Sequence, residues 1–457
     1  VQKYLYELLK ERAGGGVYPF HMPGHKARGG LFGAIFPEMD TTELGWTDNL
    51  YSADGVLKHS MERAANVFGA GRTYFLTNGS TAGIIAAIMS VARESGELIV
   101  ARNSHRSVYG ALILSGAVPR YVYPGATPFG AAGGVGVAGI KEAAENYPNA
   151  AAAIVTSPTY EGFVSDIRGI AGVLHEKNIP LIVDEAHGAH CVFHADFPET
   201  ALSAGADVVV QSLHKTLPAL GQTALLHVSE AFCGKEDVGR MLPLVMTGSP
   251  SYLLMGLADK LVGELSSGGH DFGGYMERLG ALRDSLGGLK NFSLTGREMV
   301  GKYFIHDIDI SKLLMISNAD VTGTELAEKL VREYKLQFEM SGENYILGLT
   351  GVADGAEAFF KLAHAMEKID AEARHLTPRP SEHPAFTVKT VLPPRRAFFA
   401  KVKKLPIEEC AGEVAADFIL QTPPGVPLIA PGEFISREIA EYTAGKNLIK
   451  MFAVVDE

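Results

Sequence analysis

Seven short apolar runs, rich in β-branched residues and separated by stretches of helical length, fill the region from about residue 73 to 228, and they constrain the fold more than any other feature. They are YFLT (74–77), ELIVA (97–101), RYVY (120–123), AIVTS (153–157), LIVDE (181–185), DVVVQS (207–212) and TALLHV (223–228). Their near-continuous apolar character lacks the in/out alternation of a half-solvated strand, so the sheet they form must be covered on both faces. Helical patterns at 81–94, 107–115 and 167–177 supply crossovers. The order predicts an α/β architecture around one large, seven-stranded, mostly parallel sheet, with ligands at the C-terminal ends of its strands.

A chain of 457 residues exceeds what one core normally encloses, so further domains are expected. The texture changes after about residue 288: DIDISKLLMI, GTELAEKLVREY, YILGLTGVAD and GAEAFFKLAHAMEKIDAEAR read as a smaller α/β unit. The segment LTPRPSEHP, 376–384, reads as a linker. We therefore expect an N-terminal arm at 1–30, a large domain at 31–288, a small α/β domain at 289–375 and a C-terminal domain at 385–457.

Charge narrows the partners. Lys and Arg number 41 against 52 Asp and Glu, a formal net charge of −11, which argues against a nucleic-acid surface. The three cysteines, Cys191, Cys233 and Cys410, are odd in number and far apart, so neither a disulfide framework nor a cysteine-based zinc site is expected. No run approaches the ~20 apolar residues that span a bilayer, and the N-terminal stretch is charged where a signal peptide would be apolar. These features predict a soluble protein of the reducing cytosol.

Three motifs sit where strands end. TNGSTAG (77–83) joins the first strand to an apolar helix, and backbone N–H groups at that helix start, with small hydroxyl residues, make a cup for phosphate; simple N-capping by Ser80 or Thr81 is the alternative. In VDEAHGAH a buried strand delivers Asp184 to the sheet edge. His187, His190 and His194 have the spacing of a helical metal site, but Gly188 weakens such a helix; an Asp that caps the next segment is a further alternative. In SLHKTLPALGQ, Lys215 follows a strand among apolar neighbours, where desolvation keeps an amine partly neutral and nucleophilic; an exposed lysine is the plain alternative. Together, a phosphate cup, a strand-end Asp and a strand-end Lys describe a pyridoxal 5′-phosphate (PLP) site, with no metal expected. GVGVAG (134–139) matches a dinucleotide pattern but follows PGATPFGAAG instead of a strand, so it reads as a loop.

These residues resemble the Orn/Lys/Arg decarboxylase family. The likeness is carried by HMPGHK, ELGWTDNL, GVLKHSMERAANVFGA, TNGSTAG, NSHRSVYGAL, PTYEG, VDEAHGAH, QSLHKTLPALGQ, TGSPSYLLM and PPGVPLIAPGE. It implies PLP fold type I, aspartate-aminotransferase-like, with a C-terminal α+β domain, in the short form that lacks the wing domain. By that resemblance Lys215 carries the cofactor, Asp184 faces the pyridinium nitrogen, His105 stacks on the ring, and Ala186 and His187 lie beside it. Gly79, Ser80, Thr81, Ser212 and His214 hold the phosphate, while Thr247 and Ser249 in TGSPSY reach a neighbouring subunit's phosphate, implying a homodimer or higher even oligomer. The tail departs from the family pattern at Arg396 and Glu413, which look exchanged in sign and would keep one ion pair with reversed polarity.

The reading is a PLP-dependent carboxy-lyase that converts arginine, lysine or ornithine to the corresponding amine of polyamine synthesis, with Lys215, Asp184 and His105 as catalytic residues. A basic substrate needs an acidic distal pocket, for which Asp48, Glu413 and Glu433 are the candidates. The rivals are an aminotransferase or other PLP enzyme of the same fold, which usually needs an arginine for the substrate carboxylate, and a catalytically silent PLP-binding homologue.

Overall fold

The computed structural model describes residues 16, 18–21, 24, 26, 41–235, 237–376, 387–421 and 425–456. All seven expected strands form, and they share one sheet: β1 (Arg72–Leu76), β2 (Glu97–Ala101), β3 (Val118–Val122), β4 (Ala152–Thr156), β5 (Leu181–Asp184), β6 (Val208–Ser212) and β7 (Ala224–Val228). Their order is β1-β7-β6-β5-β4-β2-β3, with β7 antiparallel to both neighbours and the other pairings parallel.

Successive residues of a strand point to opposite faces, and here both faces are buried. Leu98, Val100, Ile154, Ile182, Val208 and Val210 belong to one hydrophobic core, while Ile99, Ala101, Val155, Leu181, Val183 and Val209 belong to the core on the opposite face. Helix Gly79–Val91 packs on the first face; Val137–Asn146 and Ile167–His175 cover the second. The inner strands, almost wholly buried, therefore read as near-unbroken apolar runs, while the edge strands β1 and β3 carry Arg72 and Arg120 on partly exposed positions.

Helix boundaries differ from the expectation where glycine intervenes. Helix Gly79–Val91 begins two residues early because Gly79 adopts φ +74°, turning the chain directly from β1 into the helix. GVGVAG is a loop only at its start, since helix Val137–Asn146 begins within it. Its Gly134 lies so close to residue 304 that an added Cβ would be 2.1 Å from the Phe304 carbonyl oxygen. Close backbone approach, not dinucleotide binding, accounts for that glycine.

A second, antiparallel sheet orders Phe292–Leu294, Lys312–Ser317, Tyr345–Leu349 and Met340–Ser341, flanked by helices Gly323–Lys329 and Ala356–Glu372. The C-terminal region pairs Val402–Pro406 with Met451–Val455 and Ile419–Gln421 with Val426–Ile429, around a core that includes Ile407, Ile429, Ile439, Phe452 and Val454. Most of the arm at 1–30, and all of the segment 376–384 except Leu376, lie outside the described residues. No helix among the described residues is long and apolar enough to cross a membrane.

Candidate active site

Strand ends build the floor of the site. β5 is buried along its length and ends on Asp184, whose Oδ1 accepts the Ala186 N–H at 3.2 Å. Burial pushes the Asp184 carboxyl above its ordinary value, against the opposing pull of Lys215. Neighbouring β6 runs into the short helix Leu213–Thr216, which carries Lys215. Removal from bulk water lowers the Lys215 pKa, with Lys312 adding to the shift and Asp184 opposing it. Lys215 Nζ lies 3.2 Å from His187 Nε2, and burial with Lys215 nearby drives the His187 pKa well down. An amine and an imidazole in contact, both biased to their neutral forms, share one dry corner.

The turn holding Lys215 is braced by Gly24: its N–H donates to the His214 carbonyl at 2.7 Å, and a Cβ there would be 2.6 Å from the Leu217 carbonyl oxygen. Only glycine allows that approach. Beyond β7, at the end of β1, helix Gly79–Val91 opens its N-terminus toward the same space, and Ser80 Oγ meets Ser212 Oγ at 2.5 Å.

His105 caps helix Arg106–Ser115, its Nδ1 accepting from the Ser107 N–H at 3.2 Å and lying 2.9 Å from Ser107 Oγ. Burial, then Lys215, lowers its pKa to about 4, so the ring is neutral at pH 7. The C-terminal region closes over it. Gly425, at φ +80°, accepts the Arg106 N–H at 3.0 Å, and a Cβ there would be 3.1 Å from the imidazole.

All of these side chains open on one cavity of about 650 Å³. Gly79, Ser80, Thr81, His105, Asp184, Ala186, His187, Ser212, His214 and Lys215 line it, as do Val426, Pro427 and Leu428. The groups fit PLP. A helix N-terminus with two serine hydroxyls suits a phosphate, a buried carboxylate short of counter-charge suits a pyridinium N–H, and a desolvated amine suits an aldehyde. Four buried polar atoms of wall residues, Arg102 Nε, Asn103 Oδ1, Thr156 Oγ1 and His187 Nδ1, also lack a hydrogen-bond partner within the described chain.

The family model for the Orn/Lys/Arg decarboxylase major domain matches residues 4–271, and that for the family's C-terminal domain matches 381–451. The chain belongs to the Orn/Lys/Arg decarboxylase family. It is similar to the arginine decarboxylase of Halalkalibacterium halodurans, at 31% identity over 94% of this chain and 90% of that one. It is also similar to the arginine decarboxylase of Bacillus subtilis, at 30% identity over 97% and 93%. Among solved structures, lysine decarboxylase A from Pseudomonas aeruginosa shares the fold with a TM-score of 0.77 at 18% identity, over 91% of this chain and 74% of that one. The Orn/Lys/Arg decarboxylase assignment carries with it PLP fold type I and a carboxy-lyase reaction class.

Other expected site residues lie elsewhere in this family member. Thr247 and Ser249 are exposed and do not line the chain's own cavity; the Thr247 carbonyl accepts the Tyr51 hydroxyl. Asp48, Glu413 and Glu433, the acids expected at the substrate's far end, are absent from the cavity wall. Asp48 accepts the N–H groups of Asn49, Asp54, Gly55 and Leu57 at 2.8–3.1 Å, tying down the start of helix Val56–Phe68. Glu413 pairs with Lys403 at 3.0 Å, and no ion pair joins it to Arg396, so the exchanged signs do not preserve a mutual bridge. Glu433 is fully buried and bonds Arg102 at 2.9 Å.

The histidines of the possible metal site diverge. His187 meets Lys215, His190 meets Asp309 at 3.2 Å, and His194 meets Asp196 at 3.7 Å. No cluster of metal-binding groups occurs among the described residues. Sequence reasoning passed over three residues of consequence. Arg102 and Glu161 both line the cavity. Lys312 is buried without a hydrogen-bond partner within the described chain and lowers the pKa of both Lys215 and His187. A lone lysine heading the apolar run KLLMIS was the available signal for the last.

Proposed function

We propose that this chain is a PLP-dependent decarboxylase of a basic amino acid, arginine, lysine or ornithine, forming the corresponding amine for polyamine synthesis in the cytosol. The observation that carries this reading is the convergence of Lys215, Asp184 and the N-terminus of helix Gly79–Val91 on one cavity at the C-terminal edge of the sheet. Support comes from relatives named arginine decarboxylase that match nearly the whole chain.

When bound, PLP supplies an electron sink for the pair left behind by departing CO2. The protein's part is electrostatic and positional. The Asp184 carboxylate would pair with the ring N–H of bound PLP, and Lys215 offers an amine whose lowered pKa raises its neutral fraction. His105, fixed by Ser107, presents a neutral flat ring to the cavity. The loop at 425–428 helps exclude water, which strengthens every charge interaction inside.

Arg102 bears on the aminotransferase alternative. It is the one arginine in the described cavity wall, yet its guanidinium already donates to Glu433 Oε2, the carbonyls of Pro427 and Leu428, and the Tyr109 hydroxyl. A charge-paired arginine whose Nη donors are all committed, with only Nε left over, is poorly placed to make the two-pronged clamp of a substrate carboxylate, whereas decarboxylation requires that carboxylate to depart. The exposed Thr247 and Ser249 are consistent with a homodimer in which each subunit completes the other's phosphate site. Assaying CO2 release from carboxyl-labelled arginine, lysine and ornithine tests the reading: rapid release from at least one is expected, and release from none refutes it.

A further inference from the structure

Two carboxylates line the cavity within the described chain, and the floor accounts for only one of them. Asp184 belongs with Lys215. The other is Glu161, in the tight turn after β4, where the Gly162 N–H bonds the Thr159 carbonyl at 3.0 Å and the Thr159 N–H bonds the Phe163 carbonyl at 2.8 Å. Lys215 touches His187, the Tyr160 ring packs edge-on against His187 at 4.6 Å, and Glu161 follows Tyr160 in the chain. The cavity wall thus runs from the amine to this carboxylate.

Glu161 is 6% exposed. Its carboxyl accepts from the Thr159 hydroxyl and from its own N–H, Tyr345 and Tyr160 are near it with the Tyr160 hydroxyl committed to Glu339, and no cation is paired with it among the described residues. Burial without a counter-charge raises its carboxyl to about 7. An acid kept dry and unpaired in a binding cavity costs free energy that a cationic ligand recovers. Resting on the reading of the site as a basic amino-acid decarboxylase, we propose that Glu161 receives the ammonium or guanidinium terminus of the substrate and sets the preference for basic side chains.

The test uses the holoenzyme and neutral isosteres, citrulline against arginine and norleucine against lysine, with KM and kcat measured separately from pH 6 to 8. In Glu161→Gln the basic-over-neutral preference is expected to fall by about 10²- to 10³-fold, through KM and with kcat little changed, as loss of one partner of a buried charge pair implies. In the parent enzyme the preference weakens below pH 7 as Glu161 takes up a proton, by up to about tenfold per pH unit, and in Glu161→Gln it is flat. Glu161→Asp keeps the charge and most of the preference, which guards against reading a folding defect as loss of recognition. Unchanged preference in Glu161→Gln, or a fall in kcat with KM unchanged, overturns the proposal while leaving the decarboxylase reading intact. A parent enzyme that neither releases CO2 from any basic amino acid nor binds the product amines in calorimetry overturns both.

Discussion

Glu433→Gln is expected to loosen the C-terminal region from the seven-stranded sheet without touching the cavity floor around Asp184 and Lys215. The Arg102–Glu433 pair is 8% and 0% exposed in its side chains, and the same guanidinium holds the carbonyls of Pro427 and Leu428, so one arginine at the end of β2 anchors the loop that lines the cavity. Neutralising Glu433 leaves Arg102 charged and buried without its carboxylate, which costs about 3–5 kcal/mol when a buried pair loses one member. The local opening of segment 425–430 then becomes about 10²- to 10⁴-fold more frequent, at about 1.4 kcal/mol per tenfold. Hydrogen exchange at the Arg106 and Ala430 amides, bonded to the Gly425 carbonyl and to Glu433 Oε2, reads that opening. The double variant Arg102→Met/Glu433→Gln should recover much of the loss, because it removes the orphaned charge. Exchange accelerated less than about tenfold, or a double variant worse than the sum of its parts, would refute the clamp.

Three further outcomes are expected. Lys215→Ala removes covalent attachment: borohydride treatment with PLP followed by peptide mapping should label the parent at residue 215 and leave the variant unlabelled. Asp184→Asn should retain the cofactor, since helix Gly79–Val91 and Lys215 are untouched, but turn over about 10²- to 10⁴-fold more slowly because the electron sink is weakened; near-parental turnover counts against the role. His105, with its folded pKa lowered from 6.5 to about 4, binds its proton first in the unfolded chain, so its contribution is full above pH 6.5 and is lost as pH falls toward 4. Urea titrations of cofactor-free protein at pH 7 and 4.5 should show that loss, up to about 3 kcal/mol, reduced in His105→Phe.

The sheet was legible because its inner strands are dry on both faces, so burial dictated short apolar runs, whose length and β-branched content mark them as strands. The positions of Asp184 and Lys215 were legible for a related reason, as polar residues that end such runs stand at the sheet edge by construction. Ser80 and Ser212, far apart in the chain, meet only because β1 and β6 flank β7.

The distal acids were not legible. Asp48, Glu413 and Glu433 are carboxylates near suggestive motifs, but a carboxylate is claimed by whichever cation or N–H group the fold brings to it. For Asp48 these are the amides at a helix start, for Glu413 a strand lysine, and for Glu433 a buried guanidinium. Glu161 stood in the PTYEG motif, but nothing in that motif told whether the acid would meet a cation; the turn after β4 places it in the cavity wall with no cation paired to it among the described residues. The apolar pattern and strand-end residues set by the sequence alone determined the sheet and the polar residues at its C-terminal edge, because they depend on burial along one strand. Which acid stays unpaired was decided by the tertiary structure, because pairing depends on groups delivered from remote segments.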